Sequence, residues 1–226
     1  MTAKLLRMAA ACAAVFAVSM VLPQTAAAQA PVATGEDGGV YVAVGGGWQQ
    51  RLRAGETATT YTDFKNGHAF NVAAGYEFQR LAVEGEVSFF GNDAEVVASD
   101  ATGPQEGVGG VTMQFFMANT RYSFGEAAVR PYVGAGIGGY KSDLNDLSNV
   151  VAEMFGFVAT GSNDGLTFAY QLRAGVQMHL VGRSDLLLGY RYVRGSELLF
   201  LNTAFGDLRP DGVRMHNIEA TLKIGF

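Results

Sequence analysis

The chain ends Met215-His216-Asn217-Ile218-Glu219-Ala220-Thr221-Leu222-Lys223-Ile224-Gly225-Phe226. Ile218, Ala220, Leu222, Ile224 and Phe226 alternate with Asn217, Glu219, Thr221 and Lys223. A period of two is the pattern of a β-strand with unlike faces. The strand also stops on an aromatic residue in mid-pattern, which in a soluble protein would leave a greasy end in water. The reading that fits both facts is a strand whose apolar face, with Ile224 and Phe226 at its end, meets lipid.

Working upstream, the same alternation recurs seven more times. The runs are Val40–Trp48, Ala69–Glu77, Leu81–Phe90, Val111–Tyr122, Pro131–Tyr140, Leu166–Met178 and Asp185–Arg194. Their apolar faces carry, for example, Val40, Val42 and Val44, then Phe70 and Val72, then Val133 and Ile137, then Leu186, Leu188 and Tyr190. Their opposite faces carry Asn71, Glu84, Glu86, Ser88, Asn119, Arg121, Gln171, Arg173, Gln177 and Arg191. Alternation alone does not say which face is wet, so a soluble β-sandwich is the competing reading. Three features favour a barrel. The apolar faces are almost free of charge, as a lipid band requires. Trp48, Tyr76, Tyr122 and Tyr140 gather near strand ends, as an aromatic girdle would. The connections after the first, third, fifth and seventh runs are long and the others short, the asymmetry of outer loops and periplasmic turns. Spanning strands need ~9–11 residues each, so eight fit this chain with large loops to spare and sixteen do not. The expectation is an all-β fold, an eight-stranded antiparallel up-and-down transmembrane β-barrel over residues 39–226.

Composition agrees. The chain has 226 residues, is 49% hydrophobic and 16% charged, and contains 30 Gly and 1 Cys. Disorder is excluded by the apolar content, and a disulfide scaffold by the single Cys. A net charge of −5 argues against a nucleic-acid partner. The first 28 residues read as a secretory signal peptide: Lys4 and Arg7, an apolar run from Met8 to Leu22, and the small-residue cleavage site Ala26-Ala27-Ala28. Residues 29–38 read as a short periplasmic leader. Export together with a lipid-facing barrel predicts the outer membrane as its location.

Several stretches also resemble a known family. Gly75-Tyr76-Glu77-Phe78 with Val83-Glu84-Gly85-Glu86-Val87-Ser88-Phe89 resembles the second hairpin of bacterial outer-membrane surface-antigen (major surface protein) barrels. Arg130-Pro131-Tyr132-Val133-Gly134-Ala135-Gly136-Ile137-Gly138 is similar to the fifth strand of that family and of related porin-family, OmpA-like barrels. Phe168 to Val176 and Gly189-Tyr190-Arg191-Tyr192 fit the sixth and seventh strands. The resemblance implies an eight-stranded barrel in the outer membrane. The terminal strand, ending Ile224-Gly225-Phe226, also resembles the recognition signal that the barrel assembly machinery reads, which implies that role for Ile224 and Phe226.

Eight strands enclose side chains rather than an open channel. Parity puts Glu84, Glu86 and Glu219 inside with Arg121, Arg173, Arg191 and Lys223, a set that nearly neutralises itself. Buried charges must be paired, because an unpaired one costs several kcal/mol. Gly134, Gly136 and Gly138 face the same way and are expected to leave room for the arginines. The network reads as a plug that rigidifies the barrel; the rival is an ion path gated by exchange of partners. A lipid-modifying enzyme is a further rival, with His216, Ser196 and Glu197 at the outer rim as the residue types for acyl hydrolysis. The His-x-Ser-Asn run of lipid A deacylase barrels is lacking, so no catalytic residue is assigned. His68 and His179 show no metal-ligand spacing, and Gly45-Gly46-Gly47 precedes no helix and so forms no phosphate loop. No cofactor or metal is expected. The partners expected are outer-membrane lipid, the assembly machinery and an extracellular ligand reached through loops. Two loops stand out. Residues 92–107 carry Asp93, Glu95, Asp100 and Glu106 with no base, a solvated or cation-attracting loop. Residues 141–165 carry Leu144, Leu147, Val150, Val151, Met154, Phe155 and Val158 at helical spacing after Ser148 and Asn149, which predicts a short amphipathic helix over the mouth.

Overall fold

The computed structural model describes residues 38–55, 61–99, 103–149, 159–162, 165–197, 200–203, 206–208 and 212–226. The expected signal peptide and most of the leader lie outside the described residues. Eight strands of 12 to 21 residues dominate. They are β1 (Gly39–Arg51), β2 (Gly67–Phe78), β3 (Leu81–Ser99), β4 (Gly103–Ser123), β5 (Val129–Asn149), β6 (Thr167–His179), β7 (Ser184–Gly195) and β8 (Arg214–Gly225).

Each strand pairs antiparallel with the next, and β8 pairs with β1, so the sheet closes into a ring. Closure is what hydrocarbon demands, since an open edge would leave backbone donors and acceptors without water. The register fixes the shape. Tyr41 faces Gly75, which faces Glu84; the circuit continues through Asn119, Gly136, Gln171, Val193 and Met215 and returns to Arg51. It therefore comes back ten residues further along β1 than it began. A stagger of this kind goes with strands tilted by roughly 35–45° to the barrel axis.

Parity then decides which side chain faces what. Ile137 and Ile218 are 63% and 66% exposed on the outside, with Val133, Leu172, Leu188, Leu222 and Ile224 also outward. In water that band would be a large exposed apolar patch; around a membrane barrel it is the lipid contact. Trp48, Tyr76 and Tyr122 face outward as a girdle should, whereas Tyr140 does not. Tyr140 lies one position out of phase with Val133, Ala135 and Ile137, so alternation turns it into the lumen, where it is fully buried.

The end with the chain termini carries short turns: residues 79–80, 124–128 and 180–183. Gln79 opens the first of these with φ 54°, a left-handed conformation that a side chain disfavours. The other end differs from expectation. The 92–107 loop is largely strand: β3 continues to Ser99 and β4 begins at Gly103. β5 likewise runs on to Asn149, so Leu144, Leu147, Ser148 and Asn149 belong to a strand rather than to a helix and its cap. The rest of the predicted helix, residues 150–158, lies outside the described residues. The helical spacing was overridden by pairing, because Leu144 and Asn145 find partners in Val111 and Gly110 of β4. The extended walls recruit short strands. Tyr61–Phe64 pairs with the outer part of β3, and Ala159–Ser162 pairs with β5. The β4–β5 register slips between Val108 and Gly110. There Gly109 takes φ 77°, and a Cβ would lie 2.2 Å from the Asp146 carbonyl oxygen, so the bulge requires glycine.

Candidate functional site

The lumen is the site that the fold builds, and it has two levels. Toward the end with the short turns, strands β2, β3, β4, β6, β7 and β8 each send charged groups inward. Arg173 ion-pairs with Glu84 and lies 3.2 Å from both Glu86 and Glu219. Arg191 ion-pairs with Glu86 and reaches Glu219 at 2.8 Å. These two arginines thus clamp three carboxylates contributed by β3 and β8. Polar neighbours complete the cage. The Tyr41 hydroxyl donates to Glu84 at 2.7 Å, and the Asn119 amide donates to Glu86 at 3.1 Å. Gln171 donates to the Asn119 oxygen at 2.6 Å, and its own oxygen accepts from Arg191 at 3.2 Å. All of these side chains are buried.

Closer to the periplasmic mouth lies a second cluster. Lys223 ion-pairs with Glu77 and with Asp185, the latter at 2.7 Å. Gln177 donates to Asp185 at 2.9 Å and accepts from Ser123 at 3.0 Å. Arg121 hydrogen-bonds Gln177, stands 3.9 Å from Glu77, and lies 5.9 Å from the Tyr41 ring centre and 6.0 Å from that of Tyr132. Cation–π contact of that kind stabilises a guanidinium most where water is excluded.

All seven charged residues expected inside, Glu84, Glu86, Arg121, Arg173, Arg191, Glu219 and Lys223, are buried in the lumen. Sequence reasoning missed Glu77 and Asp185. Both carry the inward parity, two positions beyond Gly75 and two before Leu187, but they sit at strand ends where parity is easily discarded. The inward glycines have another role than the one expected. A Cβ on Gly136 would meet the Asn119 amide, and on Gly134 and Gly138 it would meet β4 backbone. They admit the neighbouring strand and its Asn119, not the arginine side chains.

The outer level of the lumen is apolar, which the strand reading did not anticipate. Phe64, Phe90, Val111, Met113, Phe115, Met117, Tyr140, Val193 and Met215 form one buried cluster. Phe115 stacks on Tyr140 at 4.9 Å between ring centres and meets Phe90 edge-on at 5.2 Å. The Tyr140 hydroxyl donates to the Ser196 carbonyl at 2.7 Å, so its one polar atom is satisfied. Arg51 caps the cluster with its guanidinium 4.0 Å from the Phe64 ring centre. The signal was present: on β3, β4 and β5 the inward parity turns apolar at Phe90, Met113, Phe115 and Tyr140. Within the charged part of the lumen, a residual cavity bordered by Tyr41, Glu84, Arg121, Arg173 and Lys223 measures about 10 Å³, room for about one water molecule.

The rim residues considered for hydrolysis are not assembled. His216 bonds through Nδ1 to the Tyr190 hydroxyl and lies between the rings of Tyr190 and Tyr192. Ser196 and Glu197 line a separate cleft with Phe168 and Tyr170. His179 pairs with Asp185 at 3.0 Å rather than standing alone. Among the described residues no group of three or more His, Cys, Asp or Glu is placed to hold a metal ion.

A closed antiparallel ring, apolar outside and packed with paired charge inside, is a transmembrane β-barrel. Solved structures show the same architecture. Neisserial surface protein A superposes with a TM-score of 0.54 at 17% identity, covering 84% of this chain and 100% of that one. OprG of Pseudomonas aeruginosa gives 0.56 at 12% identity, covering 82% and 96%. Outer membrane protein AlkL, solved in lipid bilayers, gives 0.50 at 15% identity, covering 88% and 95%. Among curated proteins no sequence match is found. The sequence matches the outer membrane protein beta-barrel domain family over residues 11–226, and the chain belongs to that family. It is an outer-membrane protein.

Proposed function

We propose that this barrel is a surface protein whose role is structural or adhesive: a rigid post that holds outer strands and loops clear of the membrane. The observation that carries the reading is the double closure of the lumen. Two arginines and three carboxylates fill one level, and aromatic and methionine side chains fill the other. A hydrated ion needs a continuous wet path, and both levels set side chains across it. The outward growth of β3, β4 and β5 supports the same reading. β3 has 19 residues, where a span takes ~9–11, so about half of it stands beyond the bilayer. The solved neighbour from Neisseria is itself described as a surface protein.

Purified protein in planar bilayers tests this directly. The expected result is no step conductance at either polarity. Discrete steps from the unmodified protein would favour the narrow ion or small-solute porin instead. The lipid-modifying alternative has less support, since His216 bonds Tyr190 and not Ser196. Identical lipid A mass spectra from cells with and without the protein would dispose of it, and a changed acyl pattern would revive it.

The same proposal extends to biogenesis. Phe226 is exposed, its backbone N–H donates to the Val40 carbonyl at 2.9 Å, and Ile224 faces outward beside it. These two residues form the signal offered to the barrel assembly machinery. Deleting Phe226 should lower the amount of heat-modifiable protein in the outer membrane several-fold; unchanged amounts would dismiss the signal.

A further inference from the structure

One patch on the outside of the barrel is built unlike the rest of the lipid-facing band. Arg194 of β7 and Arg214 of β8 are direct partners across the ladder. Tyr170 is the partner of Arg194 on the β6 side. Both arginines are exposed on the outward parity. One step down the same ladder come Tyr192 and His216, with Tyr190 bonded to His216. Two residues of strand rise about 7 Å, so the arginines stand just outside this aromatic group. Aromatic rings of a barrel mark the membrane interface, which puts the two guanidiniums at headgroup depth in the outer leaflet.

Like charges placed directly opposite each other on a sheet are destabilising. Among the described residues neither arginine is ion-paired. Arg53, also on the outer rim, makes the contrast: Asp63 holds it with two hydrogen bonds of 2.7 Å. A cleft of about 550 Å³ opens at the arginine pair, lined by Phe168, Tyr170, Arg194, Ser196, Glu197 and Arg214. Among the described lining residues Glu197 is the one carboxylate beside two guanidiniums. Guanidinium forks match phosphate oxygens in pairs, and the two aromatic rings supply an apolar wall beside them.

We propose that this cleft binds a phosphorylated glycolipid of the outer leaflet, with Arg194 and Arg214 on its phosphate and Phe168 and Tyr170 along the start of an acyl chain. The site lies on the outside of the wall and is independent of whether the lumen conducts.

The test uses the full chain in phosphatidylcholine nanodiscs doped with either bisphosphorylated lipid A or its dephosphorylated form, with bound lipid counted by native mass spectrometry. The expected result is a preference for the phosphorylated form of roughly tenfold or more, the scale of one charge-assisted contact. Arg194→Gln with Arg214→Gln should abolish the preference, while Arg194→Lys with Arg214→Lys should keep part of it. Heat-modifiable migration checks that each variant is folded, and Arg194→Gln alone gives the same reading if the double variant is not. Equal retention of the two lipids would reduce the cleft to an apolar groove and overturn the proposal. So would an undiminished preference in the folded glutamine variant. Inorganic phosphate competing as well as lipid A at equal concentration would equally overturn the assignment to a lipid.

Discussion

On β6 and β7, Arg173 and Arg191 sit among Glu84, Glu86 and Glu219. Two to four residues further out on the same strands, Ala169 and Val193 face Met113, Phe115 and Tyr140. The two levels fill the same narrow tube by opposite physics. The inner level is directional: every charge depends on named partners, and taking one away strands the others in a poorly solvated space. The outer level is non-directional: it depends on volume, and a smaller side chain leaves a void without orphaning any charge. Two levels filled in such different ways are hard to open by any single change, in keeping with the proposed post.

The largest expected effect breaks the inner level. Arg173→Met leaves Glu84 without its cation and Glu86 and Glu219 with Arg191 alone, and should cost about 3–5 kcal/mol, read as a lowered urea midpoint for the detergent-folded barrel. Adding Glu84→Gln to it should recover part of the loss; strict additivity of the two changes would show that the pair is not coupled. Next comes the outer level. Met113→Ala should cost about 2–4 kcal/mol through the cavity it leaves, with no change in the salt dependence of unfolding. If salt dependence moved with it, the two levels would not be separable. A smaller effect of the other sign is expected outside both. Gln79→Gly relieves the left-handed backbone of the first turn and should raise stability by about 1 kcal/mol, visible as a later unfolding midpoint. Smallest of all is Arg53→Ala, which removes an exposed pair with Asp63 and should leave the midpoint where it is.

Much of this was readable before any coordinates. Strand parity distributes side chains between lipid and lumen, because a period of two has only two outcomes. That is why Glu86 and Arg191, 105 positions apart in sequence, could be assigned to one face. Parity also assigns Tyr140 inward, and it was misread only because its aromatic character suggested a girdle. What parity cannot supply is the stagger between strands. Without it Glu77 and Asp185 could not be set against Lys223, nor could Phe90 be set against Phe115 and Tyr140. The outer connections were harder still. The residues at Leu144 and Leu147 fit a helical period, but their neighbours across the ladder gave them strand partners, and pairing across a sheet leaves no trace in local spacing.

The ring has a seam. Tyr41 pairs with Gly225 and Arg51 with Met215, so the first strand can be satisfied only by the last. Among the described residues these contacts have the greatest sequence separation, and such contacts form late because the intervening chain must first be brought round. Until then both raw margins of the sheet remain open to any other strand they meet. A nascent chain therefore cannot be finished piecemeal: a product released one strand short has nothing to zip against. The wall is complete only when the eighth strand reaches the first.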